Sequence, residues 1–117
     1  MKESILLEKS FKFALRVIKL SRYLQREHKE YILSKQIIRS GTSIGALIRE
    51  AQYAQSKADF LHKLTIALKE ANETKYWLQL LIESDYIDTK MFESIEPEAE
   101  ELLKLLIAST KTIKKNQ

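Results

Sequence analysis

IIRSGTSIGALIREA, residues 37 to 51, reads as one helix, yet it contains both glycines of the chain, Gly41 and Gly45, with Ser40, Thr42, Ser43 and Ala46 around them. Ile37, Ser40, Ile44, Leu47, Ile48 and Ala51 recur at helical spacing and define an inward face. A glycine inside a helix costs about 1 kcal/mol relative to alanine, so two of them four residues apart need an offset. Small side chains let a neighbouring backbone come close. Gly41, Ser43, Gly45 and Ala46 therefore read as a groove that receives another helix, the third or the first. The spacing matches the membrane G-x-x-x-G motif, but the surrounding charges, Arg39, Arg49 and Glu50, exclude a membrane helix.

The rest of the chain supports an all-α reading. At 117 residues it is expected to form one domain, 1–117, with a single core. Alone, such a chain buries only about two-thirds of its unfolded surface, and a partner surface would help. Two glycines and one proline leave little turn chemistry for sheets. The absence of cysteine removes disulfides and thiolate metal sites and favours an intracellular setting. The start, MKESILLEKSFKFALRVIKLS, is too interrupted by charge for a signal peptide, and no apolar run approaches a membrane span. The expected location is cytoplasmic.

Periodicity predicts four helices. The first covers about Glu3 to His28, with Leu6, Phe13, Val17, Leu20 and Leu24 on one side and Leu7, Phe11, Ala14 and Ile18 on the adjoining side. Together these span about half the circumference, more than the ~100° stripe a surface helix needs. One face can meet the chain's own bundle and the other a second molecule, with Phe11 and Ile18 as interface or core anchors. The second helix is expected to open after Ser34 as N-cap and to run to about Gln55. Ser56-Lys57-Ala58-Asp59 has capping-box spacing with Asp in place of Glu. It precedes a long helix to about Ser84 that aligns Phe60, Leu64, Ala67, Ala71, Leu78 and Ile82. Asp88 reads as the cap of the fourth. There Pro97 predicts a real but small break, by a stop near Ile95 or a kink before Ala99, Leu102, Leu103, Leu106 and Ile113. Short connections make an antiparallel up-down-up-down four-helix bundle the economical topology.

Charge is uneven. Residues 1 to 56 hold eleven Lys and Arg against five Asp and Glu, net +6, whereas residues 85 to 117 hold five against seven, net −2. On the first helix Lys9, Lys12, Arg16, Lys19 and Arg26 fall within about 100° of one another, with Tyr23 among them, opposite the apolar arc. Repeated by symmetry, such a stripe would bind phosphates, strongly at low salt and with little reading of sequence. The competing reading is that these long side chains only keep the outer face of an amphipathic helix soluble.

No constellation points to catalysis. Gly41 and Gly45 sit within a helix whose N–H groups are already bonded, which excludes a phosphate-cradling loop. Asp59-x-x-His62 has the spacing of bundle di-iron ligands, but it stands alone and His62 lies away from the inward face, so no metal and no cofactor is expected. Glu70 projects among Ile66, Trp77 and Leu81 and needs a partner, with Arg39, Arg49 and Lys63 in reach. A buried ion pair, Glu70 with Arg39, is the reading taken, over a general acid. Trp77 reads as a core or subunit anchor rather than a base-stacking platform, with Tyr76 at its rim.

The run IIRSGTSIGALIREAQYAQSKADFLHKLTIALKEANETKYWLQLL resembles the core signature of the bacterial four helix bundle proteins, also called 23S rRNA intervening-sequence proteins. The matching pieces are Ser43 to Ala46, Ser56 to Phe60 and Glu73 to Leu78. Leu47 and Arg49 depart from the pattern, which has an Asn and a smaller residue there. The resemblance implies a homopentamer, a barrel of bundles. A relative that serves as the accessory protein of diversity-generating retroelements resembles a basic nucleic-acid-binding pentamer, while for most members the resemblance implies no established activity. Taken together, the expectation is a non-enzymatic oligomer that binds RNA or DNA through its basic surface, with no membrane role; the alternative is a protein-interaction scaffold.

Overall fold

The three helices after the first each begin where a side chain satisfies the first free backbone N–H groups. A computed structural model describes residues 2–116, which form α1 (Lys2–His28), α2 (Leu33–Ala51), α3 (Lys57–Glu83) and α4 (Thr89–Lys115), with no strand among the described residues. Ser56 Oγ accepts the Asp59 N–H at 3.0 Å while Asp59 Oδ2 accepts that of Gln55 at 3.2 Å. Asp88 Oδ1 accepts the Met91 N–H at 2.8 Å. Both caps sit where the sequence placed them.

The start of α2 is a correction. Ser34 is buried inside the first turn, and its hydroxyl donates to the Glu30 carbonyl at 2.8 Å. The cap is the buried carboxylate of Glu30: Oε2 accepts the N–H groups of Ile32 (3.1 Å) and Leu33 (2.9 Å), and Oε1 that of Ser34 (2.8 Å). A carboxylate takes several donors at once and also suits the positive end of the helix dipole, so it displaces a single hydroxyl. The far end is also shorter than expected. After Ala51 the N–H groups of Gln52, Tyr53 and Ala54 reach back only three residues, tightening the chain before the Ser56 cap.

Both remaining reversals are made without glycine. Lys29 (φ 52°) follows α1 and Asp85 (φ 66°) follows α3. At the second, the Tyr86 N–H returns to the Leu81 carbonyl at 3.0 Å, the Schellman closure of a helix.

The helices pack as a ring of neighbours, α1–α2, α2–α3, α3–α4 and α4–α1, with α1–α4 the loosest seam and no diagonal pair among the described residues. All seams are antiparallel where two or more contacts mark them. Ser10 and Val17 of α1 face Gly45 and Gly41 of α2, and Lys9 and Arg16 pair with Glu101 and Glu98 of α4. Across α2–α3, Arg39 pairs with Glu70 and Glu73, and Glu50 with Lys63. The resulting rod measures 47 × 21 × 19 Å.

Its core contains the predicted α1 row, Leu6, Phe13, Val17, Leu20 and Leu24, against Ile37, Ile44 and Ile48, Leu64, Leu78 and Leu81, and Ile95, Leu102 and Leu106. Leu47, Phe60, Ile82, Leu103 and Ile113, expected inward, are half-buried at its margin. Leu81, read on the Glu70 side of α3, is fully buried.

Two expectations about helix interiors resolve differently. The glycines receive α1: a Cβ on Gly41 would stand 2.8 Å from both Val17 methyls, and one on Gly45 would stand 3.3 Å from Ser10 Oγ. Ser43 takes no part in this contact, its hydroxyl donating to the Arg39 carbonyl at 2.6 Å, and Ala46 is exposed. The break at Pro97 does not interrupt α4, which runs through it. Pro97 has no N–H to return to the Glu93 carbonyl. Beside that gap Arg16 donates to the Ser94 carbonyl at 2.9 Å and to Ser94 Oγ at 2.7 Å, so α1 braces α4 where its own ladder is weakest.

Candidate nucleic-acid interface

The five predicted cations of α1 divide into two sets. Lys9 Nζ lies 3.3 Å from Glu101, Lys12 3.7 Å from Glu8, and the Arg16 guanidinium pairs with Glu98 in addition to its bonds to Ser94. Lys19 and Arg26 are exposed with no carboxylate within 4.0 Å among the described residues. The stripe thus does not stand wholly opposite the core: one edge forms the α1–α4 seam, because a bundle helix has a neighbour on each flank. Arg22, outside the predicted set, is exposed one turn from both Lys19 and Arg26 and extends the unpaired group. Its i+3 and i+4 spacing was the available signal. Solvent-exposed pairs such as Lys12 with Glu8 are worth about 0–1 kcal/mol, so a phosphate can compete for these cations.

Beside these residues the loose α1–α4 seam opens a groove of about 420 Å³ lined by Leu20, Tyr23, Ile87, Met91 and Ile95, with Arg16, Lys19, Lys90 and Ser94 also lining it. At one end His28 packs edge-on between Tyr23 and Tyr86, centroids 5.4 and 5.5 Å away, and its Nε2 lies 3.2 Å from the Tyr23 hydroxyl. A second groove of about 250 Å³ runs over Gly45 between α1 and α2, lined by Leu7, Ser10, Phe11, Ala14, Thr42, Ala46 and Arg49. Phe11 above it is 58% exposed and Leu15, one turn on, 47%, while Ile18 is half-buried. Leu15 was missed by the periodic reading, although it follows Phe11 by four residues.

On the α2–α3 side Arg39 joins Glu70 at 3.2 Å and also Glu73, whose Oε2 accepts the Trp77 indole N–H at 3.0 Å. The pairing of Glu70 with Arg39 is as read, but its burial is corrected: the Arg39 side chain is 49% exposed and that of Glu70 20%. Long side chains reach the seam from outside the core and leave their charged ends wet. Trp77 is half-buried against the core margin, with the exposed Tyr76 edge-on at 5.2 Å. Between α3 and α4 the Lys75 ammonium lies between Glu100 and Glu96. The hydrogen bond between Lys75 and Glu100 raises the lysine pKa and lowers the carboxyl's. Asp59 is spent on the α3 cap and His62 is exposed, so the Asp-x-x-His spacing assembles no site. No group of three or more His, Cys, Asp or Glu converges to hold a metal, and no helix is long and apolar enough to cross a membrane, among the described residues.

Similarity to known proteins matches this architecture. A protein of unknown function from the S23 ribosomal protein family of Bacteroides thetaiotaomicron has a solved structure that superposes with a TM-score of 0.93. It is 56% identical, the match covering 95% of this chain and 99% of that one. No curated protein matches the sequence. The family described as 23S rRNA-intervening sequence protein matches residues 2–108, which take in α1, α2, α3 and most of α4. With the glycine-bearing second helix and the Ser56-capped third both inside that span, the chain belongs to the 23S rRNA-intervening sequence protein family.

Proposed function

We propose that this protein is a non-enzymatic nucleic-acid accessory, RNA being the favoured ligand, that works as a homo-oligomer. The observation that carries the reading is the outer side of α1, along which Lys19 and Arg26, without carboxylate partners among the described residues, follow exposed Phe11 and Leu15. The apolar part suits a second copy, and five copies is the number the family resemblance implies. The cations, repeated around such a particle, suit a phosphate backbone. Lys9, Lys12, Arg16, Lys19 and Arg26 are the proposed contacts, with Lys19 and Arg26 contributing most because no carboxylate has to be displaced.

Binding of labelled RNA and DNA across a salt series tests this. Affinity is expected to fall steeply with salt, and Lys12→Gln, Lys19→Gln and Arg26→Gln together should flatten the slope by about 2–3. The second reading, a protein-interaction scaffold, is favoured by the pairing of Lys9, Lys12 and Arg16 with Glu101, Glu8 and Glu98. Absence of binding at low salt would select it.

A further inference from the structure

We propose that the α1–α4 groove holds one unpaired nucleotide, its base laid on Met91 and Tyr23 over the edges of Leu20 and Ile95 and its phosphate between Lys19 and Lys90. This rests on the nucleic-acid reading above and adds to it a specific site and a single-strand preference. The groove exists because α1 and α4 form the loosest seam, which leaves a hollow of about 420 Å³ whose floor is half-buried Tyr23 and Met91 with the edges of the otherwise buried Leu20 and Ile95. Its basic rim is supplied by both walls. Lys19 comes from α1 and Lys90 from α4, both exposed and without a carboxylate within 4.0 Å among the described residues, whereas Arg16 is already committed to Glu98 and Ser94.

An apolar floor under two free cations calls for a ligand with a flat apolar body and an adjacent negative charge. A nucleotide has both. The groove is partly open to solvent, which suits a ring covered on one face. A base stacked in a duplex presents no free face, so the site selects single strands.

The chain has two methionines, Met1 and Met91, so methyl-labelled methionine gives Met91 a resolvable NMR signal inside the groove. The full-length protein is titrated at low salt with a single-stranded ten-nucleotide RNA and with the same RNA as a duplex, while fluorescence anisotropy reports total binding. Ring-current displacement of the Met91 methyl by the single strand and not by the duplex is the expected result. Lys90→Gln, which lies outside the α1 stripe, should then lower the salt slope by about 1 and weaken that displacement. Binding by anisotropy with an unmoved Met91 signal overturns the groove assignment and leaves the nucleic-acid reading standing. No binding of either RNA overturns both. Displacement of Met91 by oleate or by an acidic amphipathic peptide, but not by RNA, also overturns the proposal.

Discussion

Gly41 and Gly45 look equivalent on paper and differ in space. A Cβ at Gly41 meets two Val17 methyls at 2.8 Å, which only a backbone shift can relieve, whereas at Gly45 the nearest atoms are Ser10 Oγ at 3.3 Å and its carbonyl oxygen at 3.4 Å. Gly41→Ala is therefore expected to destabilise the fold by about 1–3 kcal/mol despite its better helix propensity. Gly45→Ala should fall within about 1 kcal/mol of the parent. Urea denaturation of the two variants checks the order, and adding Val17→Ala should make the Gly41 substitution less costly. Glu30 is the other decisive residue. Its carboxylate serves three backbone N–H groups, so Glu30→Ala should cost about 1–3 kcal/mol, more than Ser56→Ala at about 1 kcal/mol. Equal costs in thermal melts would contradict the cap assignment.

At the scale of elements, α4 shows how a neighbour compensates a local defect. Pro97 deprives the Glu93 carbonyl of its helical donor, and Arg16 of α1 donates to the carbonyl next to it. Because Pro97 is exposed, Pro97→Ala should raise stability by about 1–3 kcal/mol, read as a higher Tm. The α3–α4 seam carries a pH signature. The hydrogen bond from Lys75 holds the Glu100 pKa below its ordinary value, so this contribution is present above the unfolded carboxyl pKa and is lost as pH falls through the folded one. The same bond raises the Lys75 pKa above its ordinary value of 10.5, so its contribution is lost only as pH rises beyond that. Glu100→Gln should accordingly lower Tm between about pH 5 and 10 and leave it unchanged near pH 2, where the parent carboxyl is protonated as well. A constant difference across the acid range would exclude the charge pairing as its cause.

For the whole molecule the unpartnered surface of α1 is the feature to test. Phe11 and Leu15 expose 58% and 47% of their area on the face beside the Gly45 groove, a combination better suited to another copy than to water. Phe11→Asp with Leu15→Asp should convert an oligomer to monomer in light scattering while leaving helical circular dichroism intact; a parent that is already monomeric contradicts the assembly reading.

The four helices, the Ser56 and Asp88 caps and the inward rows of α1 and α2 were legible in the sequence, because hydrophobic period and capping depend on residues within one or two turns. The tertiary structure alone decided that the glycines receive α1 and not α3, and that Glu30 rather than Ser34 caps α2. It also decided which cations remain unpaired. Arg16 finds its carboxylate 82 residues away, on a helix whose register no local pattern specifies. Contacts of that span depend on how four separately readable rods settle against one another, and that arrangement determines which parts of an amphipathic surface are spent on the fold and which are left exposed.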